Sequence, residues 1–269
     1  MNRLGLEYIT LLGVSPLHFI RTAAEVGCRH VSLIPEQIKF GDHSYLDYSL
    51  IDNPTLRRDI VACLDDNDVS IALVDGFAVF PDGVAEDYRR AFNMLAELGV
   101  TRINTVSFDN WARTVEETGK IVSMAAEYSV TVTVEACPPL TVKNLGQALD
   151  LISAVNLPNF KLLIDTMHVA RAGDVDALAK VEPSLIDYVQ ISDAPSRQRT
   201  DDEYMDEAMN ERMIPGQGEI PLVEMLRNIP DHVVVSAEVP LRSLRQAGVS
   251  DLERARLVVD GTRKVLSAL

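Results

Sequence analysis

The sequence predicts an α/β fold, a single (β/α)8 TIM barrel running over residues 1–269. Three observations lead there. Short Val/Ile/Leu-rich runs alternate with helical patterns along the whole chain, several of those runs end on an acidic or amide side chain, and no glycine fingerprint of a doubly wound sheet follows the first strand. A length of 269 residues agrees, since such barrels use about 200 to 250 residues as one unit.

Strand-like runs begin near Glu7, His30, Val69, Thr101, Thr131, Phe160, Leu185 and Val233, with amphipathic segments between them and one more after the last. Ser15-Pro16 in VSPLHF and Asn53-Pro54 in DNPTLRRD mark helix starts. In each, a capping side chain precedes a proline whose missing N–H costs nothing in a first turn. Gly27 in AAEVGC and Gly99 in LAELGV mark helix ends. The close pair Gly216 and Gly218 in PGQGEI reads as a turn before the seventh helix, with a phosphate cradle as the alternative. Residues 194–218 form the longest irregular stretch. A connection of that length predicts a partly helical lid above the barrel mouth.

Hydrophobic residues at 47% and charged residues at 24% are the balance of a globular domain, without a run of roughly 18 apolar residues to span a membrane. MNRLGLEYITLLGVSP enters an apolar run at once and lacks a small-residue cleavage site. It therefore reads as the first strand, with the cytoplasm as the expected location. Cys28, Cys63 and Cys137 fit neither a disulfide framework nor a zinc pattern and are expected to be reduced and mostly buried. A net charge of −15 opposes a phosphate backbone, so a small molecule is the expected partner, with no nucleic acid and no membrane.

The polar strand endings carry the functional reading. Glu135, Asp165, Gln190 and Glu238 close the runs VTVTVE, FKLLID, IDYVQ and VVVSAE. Barrel enzymes keep their chemistry at that end of the strands. Singly, each residue reads as a helix cap or a salt-bridge partner. Together, three carboxylates and an amide aimed at one point repel one another unless a cation sits among them, and a divalent metal resolves the conflict. His168 follows Asp165 by three residues and is the one histidine at a strand's C-terminal end; His18 falls in a helix, His30 and His232 near strand starts, and His43 in an early loop. It is read as a substrate-contacting or proton-carrying group, against the plainer role of a structural hydrogen-bonding residue. Glu7, Glu36, Asp75 and Ser107, after strands one to four, are candidates for substrate selection or simple loop caps.

VTVEACPP, LLIDTMHVARAG, YVQISDAP, IPGQGEI and SAEVP resemble the xylose-isomerase-like barrels, which include sugar isomerases, ketose 3-epimerases, hydroxypyruvate isomerases and inosose dehydratases. The resemblance covers essentially the whole chain. It implies a divalent metal (manganese, magnesium or cobalt) held by Glu135, Asp165, Gln190 and Glu238, with the two glutamates as acid and base and His168 on the substrate. It also implies a substrate-binding arginine after strand seven, for which Arg212 is preferred over Arg197 and Arg199. One departure stands out: most isomerases and epimerases of this type have histidine where this chain has Gln190. Its amide oxygen still suits a hard cation, and an all-oxygen set favours magnesium or manganese over zinc. Glutamine there is similar to the 3-dehydroshikimate dehydratase branch. The expected function is a metal-dependent isomerase or epimerase of a sugar or polyol ketone acting through an enediolate. A dehydratase-type lyase and a non-catalytic metabolite-binding barrel are the alternatives, and the resemblance allows a homo-oligomer. Apurinic endonuclease chemistry is set aside, because it needs a histidine-rich zinc cluster and a basic surface.

Overall fold

Eight parallel strands pair in sequence order and close on themselves, β8 returning to β1, in a computed structural model that describes residues 3–37, 46–197 and 199–269. The strands are β1 (Leu4–Leu6), β2 (His30–Leu33), β3 (Ser70–Val79), β4 (Arg102–Ser107), β5 (Thr131–Glu135), β6 (Phe160–Asp165), β7 (Ile186–Ile191) and β8 (Val234–Ala237). Outside them lie α1 (Pro16–Glu25), α2 (Pro54–Asn67), α3 (Arg89–Glu97), α4 (Trp111–Glu127), α5 (Leu145–Val155) and α6 (Thr166–Ala172). There follow α7 (Val175–Leu178), α8 (Asp201–Asn210), α9 (Leu222–Leu226), α10 (Arg242–Gln246) and α11 (Asp251–Leu266).

The expected punctuation is in place. Ser15 and Asn53 cap α1 and α2 by accepting the backbone N–H groups of His18 and Leu56, each with proline in the first turn. Gly27 and Gly99 take positive φ values of 80° and 66° just past α1 and α3. The first strand is the exception. It covers Leu4–Leu6, so Glu7 follows its end and does not open it. Three residues carry too little alternation to set that boundary from sequence. His43 lies outside the described residues.

Because strand side chains alternate with period two, Leu163 shares a face with Asp165, Tyr188 with Gln190, and Ser236 with Glu238. Leu73, Leu163 and Tyr188 pack together as a small apolar cluster beneath the polar ends. Arg102 sits against it, its guanidinium 5.6 Å from the Tyr188 ring centroid and its Nε 2.5 Å from Asp187. The larger apolar cluster joins strands to helices and includes Phe19, Phe92, Phe160, Leu162 and Val258, all buried. Each such fully buried Leu, Val or Phe contributes about 1.5–3 kcal/mol. A bulge in β3 accommodates Asp75: Val74 pairs with Ile103 and Phe77 with Thr105, so β3 carries one residue more than β4. Gly76 provides the required turn with φ of 97°, and an added Cβ there would stand 3.2 Å from Pro35. Among the described residues no helix is long and apolar enough to cross a membrane, and Cys28, Cys63 and Cys137 are free and buried.

Candidate active site

β6 and β7 pair Asp165 directly with Gln190, and the ends of β5 and β8 bring Glu135 and Glu238 into the same network. Asp165 also caps α6. Its Oδ1 accepts the backbone N–H groups of Met167 at 2.8 Å and His168 at 3.0 Å, which leaves Oδ2 for side chains. Arg212 Nη1 donates to that Oδ2 at 2.5 Å and to Ser192 Oγ at 3.2 Å. The same nitrogen lies 2.9 Å from Glu238 Oε2, as an ion pair without the alignment of a hydrogen bond. Arg212 is only 4% exposed, and its Nε donates to the carbonyl of Ala208 in α8.

His168 links the other half. Its Nε2 lies 3.2 Å from Glu135 Oε1 and 3.9 Å from Asp165 Oδ2, while Nδ1 and the Tyr204 hydroxyl are 2.6 Å apart. One ligand-type atom from each of Glu135, Asp165 and His168 falls within 4.8 Å of the others, a spacing suited to a metal ion. Glu135 Oε2 accepts from Asn104 Nδ2 at 2.9 Å. Gln190 Nε2 donates to Glu238 Oε1 at 3.3 Å and to Glu7 Oε2 at 3.5 Å. Glu7 Oε1 accepts the Tyr188 hydroxyl at 2.6 Å. Two buried acceptors, Gln190 Oε1 and Glu238 Oε2, have no hydrogen-bond partner.

Five carboxyl groups, those of Glu7, Asp75, Glu135, Asp165 and Glu238, therefore share the end of the barrel, with one arginine and one histidine to balance them. Burial would raise the Asp165 carboxyl, yet Arg212 and His168 hold it below the usual carboxylate range. Burial pushes Glu238 well above that range; Arg212 opposes the shift, while Asp165, Glu135 and Glu7 add to it. The two acids differ because Asp165 has backbone donors and an aligned guanidinium, whereas Glu238 Oε2 has neither. Asp75 is raised well above its ordinary value by burial, then by Glu7 and Glu135. Burial would lower the imidazole of His168, but Asp165, Cys137 and Tyr204 outweigh it and raise the ring well above its ordinary value. Crowding of acids at this end of the barrel therefore opposes the ionisation of Glu238 and Asp75, and a further cation would favour it.

Of the other residues singled out from sequence, Glu7 and Asp75 belong to this network. Glu36 accepts from Ser49 at 2.8 Å in an exposed loop, and Ser107 bonds Thr114 at 2.7 Å and the N–H of Asp109, a loop-closing role. Arg197 pairs with Glu203 and Arg199 with Glu207, so of the three arginines Arg212 is the one in contact with Asp165 and Glu238. Residues 194–218 contain α8, whose Tyr204 contacts His168. The PGQG segment forms a turn ahead of α9, closed on the Asp193 carboxylate, which accepts from Gly216 and Gly218 at 2.9 Å each. An anion would have to displace that carboxylate, so the phosphate-cradle alternative is not followed.

Sequence reasoning missed Tyr204, Asn104 and Tyr188. Tyr188 stands two residues before Gln190 on the same face, and Asn104 is an amide in the middle of the run RINTVS. Those two carried a signal in their parity and polarity; Tyr204, on a polar helix, carried none.

A family model described as the xylose isomerase-like TIM barrel matches residues 20–261. Among curated protein sequences none matches the chain. Several solved structures share the fold. The IOLI protein with a binding zinc atom superposes with a TM-score of 0.78 at 19% identity, covering 99% of this chain and 98% of that one. The probable 3-DHS dehydratase AsbF, involved in petrobactin synthesis from Bacillus anthracis, gives 0.73 at 16% identity, covering 99% of each chain. A D-tagatose 3-epimerase-like protein gives 0.70 at 17% identity, covering 99% of this chain and 97% of its own. Identities this low speak for the fold, while the family match spans β2 to β8 and the polar residues at the ends of β5 to β8. The chain belongs to the xylose isomerase-like TIM barrel family.

Proposed function

We propose that this protein is a divalent-metal-dependent isomerase or epimerase of a sugar or polyol ketone. The observation that carries the reading is the convergence of Glu135, Asp165 and His168, one ligand-type atom of each within 4.8 Å of the others, with Gln190, paired to Asp165 across β6 and β7, presenting a buried Oε1 that accepts no hydrogen bond. An orphaned acceptor beside acidic side chains fits a cation, since a buried acceptor left without a partner costs about 1–3 kcal/mol. Glu135, Asp165, Gln190 and Glu238 would hold the ion. His168 offers a ring nitrogen within the same small volume. Three carboxylates and an amide oxygen form a hard set that suits manganese or magnesium, with cobalt next.

When bound, such an ion polarises a substrate carbonyl and offsets the charge that develops as the neighbouring carbon loses its proton. This chain's own residues then move the proton. Glu135, ending β5, and Glu238, just after β8, would serve as base and acid, one removing the carbon-bound proton and the other returning one. Arg212 and His168 would orient the hydroxyl groups of a small polyhydroxy substrate, and Tyr204 would hold the His168 ring in place from α8. The stretch 194–218 would act as the lid that keeps water out. Neither a nucleic-acid partner nor a membrane is part of the reading.

A second reading, a lyase of the 3-dehydroshikimate dehydratase type, is favoured by Gln190 in the third ligand position. It shares the proton abstraction and differs in expelling a β-hydroxyl. Metal analysis of the purified protein with Glu238→Ala and Gln190→His variants tests the common step. About one manganese or magnesium per chain, lost in Glu238→Ala, is expected; no metal under any loading condition would move the assignment to a non-catalytic binding barrel. Product analysis then separates the two chemistries, because new ultraviolet absorbance accompanies loss of water and not isomerisation.

A further inference from the structure

Beside the proposed ligands lies a carboxylate outside the ligand set. Glu7 follows β1, is 1% exposed, and reaches across to β7. Its backbone N–H is bonded to Ala237, its Oε1 accepts the Tyr188 hydroxyl at 2.6 Å, its Oε2 accepts the Gln190 amide at 3.5 Å, and Ser236 and Ser32 also stand against the carboxyl.

An amide is two-ended. One end is an acceptor that binds a cation, and the other is a pair of donors that a cation repels. The shape of the group does not choose between them, so its neighbours must. Gln190 is 1% exposed, with Nε2 facing Glu238 Oε1 at 3.3 Å and Glu7 Oε2 at 3.5 Å, while Oε1 has no partner. Turning the amide over would put its oxygen where Nε2 now faces Glu238 Oε1 and Glu7 Oε2 and would forfeit both hydrogen bonds. Glu238 cannot settle the choice alone, because the proposed ion would draw on that same carboxylate.

We infer that Glu7 is a positioning residue: held by Tyr188, it fixes the Gln190 amide so that Oε1 and not Nε2 faces the cation site. This rests on the metal-site reading above. In this role Glu7 acts through Gln190. A histidine at 190 offers the same two-sided arrangement, one ring nitrogen for the ion and the other N–H for Glu7, so the device serves either ligand type.

The test is Mn2+ affinity, read from the paramagnetic resonance signal of the free aqua ion, for wild type, Glu7→Gln, Gln190→Met and the double variant. Glu7→Gln keeps the shape but offers a donor as readily as an acceptor, and it is expected to weaken Mn2+ binding about tenfold or more. The double variant is expected to bind no more weakly than Gln190→Met alone, because the effect of Glu7 passes through the amide. Tyr188→Phe, which frees Glu7 Oε1, is expected to weaken binding in the same direction and carries the test if Glu7→Gln fails to fold. Unchanged affinity in both Glu7→Gln and Tyr188→Phe, or losses that add in the double variant, would overturn the role of Glu7 and leave the metal site standing. Absence of Mn2+ binding by the wild type would overturn the metal reading itself, and this inference with it.

Discussion

Asp193→Asn isolates one carboxylate that organises the loop after β7. Asp193 is 1% exposed and accepts four backbone N–H groups: Ala194 at 2.9 Å and Ile220 at 3.1 Å on Oδ1, Gly216 and Gly218 at 2.9 Å each on Oδ2. Its own backbone exchanges hydrogen bonds with Met213, beside Arg212. Asparagine keeps the volume but has one acceptor oxygen, so its amide N–H2 must face one pair of donors. The more enclosed Ala194 and Ile220 groups would keep the oxygen, leaving Gly216 and Gly218 opposed to a donor. An unsatisfied buried donor costs about 1–3 kcal/mol. Gly216 is exposed and Gly218 partly so, and water softens the loss to about 2–3 kcal/mol for the pair. For a chain of this size each kcal/mol lowers Tm by about 2–4 °C, so a fall of about 5–10 °C is expected. Thermal unfolding followed by circular dichroism reads it, with urea unfolding as a second measure. A variant within about 0.5 kcal/mol of wild type would refute the reasoning, showing that the four bonds do not hold the loop.

Gly218→Ala should destabilise by about 1–3 kcal/mol in the same assay, since the added Cβ would lie 2.6 Å from Asp193 Cγ and 2.7 Å from the Ala194 carbonyl; an unchanged midpoint would mean the turn shifts without cost. Tyr204→Phe removes the 2.6 Å bond to His168 from a buried site and should cost about 1 kcal/mol in urea unfolding. Tyr204→Phe is also expected to lower kcat more than it raises KM once a substrate is found; a pure KM effect would argue against a role in holding the ring. Glu117 accepts the Ala85 N–H at 2.8 Å and pairs with Lys120 and Arg113, which together hold its carboxyl below the ordinary 4.5 against the opposing effect of burial. A depressed carboxylate stabilises the fold above its unfolded pKa and loses that contribution as pH falls through the folded value. Glu117→Gln should therefore cost about 2 kcal/mol near neutrality, and the gap from wild type should close below pH 4.5. A gap independent of pH would assign the loss to packing.

The strand ends were legible because the barrel repeats one local rule eight times. Period-two alternation sets which residues share the inner face, and a polar residue after an apolar run is conspicuous in VTVTVE or VVVSAE. Gln190, one residue before the end of β7, was found by the same contrast, and its register opposite Asp165 follows from the parallel pairing. What escaped depends on distance in sequence. Asp193 serves donors 23 to 27 positions away, and a backbone N–H has no residue type to announce it. The β3 bulge that accommodates Asp75 is a mismatch between two strands and is invisible in either alone. Tyr204 belongs to a helix with three acidic residues in its first turn, where nothing in the local pattern marks one tyrosine as facing inward.

Arg212 joins parts of the chain that have no other reason to act together. One nitrogen stands between the acids ending β6 and following β8, while another holds the carbonyl of Ala208 near the end of α8. The guanidinium is planar and rigid, so moving one nitrogen carries the other with it. Drawing Asp165 Oδ2 or Glu238 Oε2 away from this cation would therefore loosen its hold on the end of α8. The pairing of two acids at the barrel's end and the seating of α8 thus become one mechanical variable, written into a single side chain.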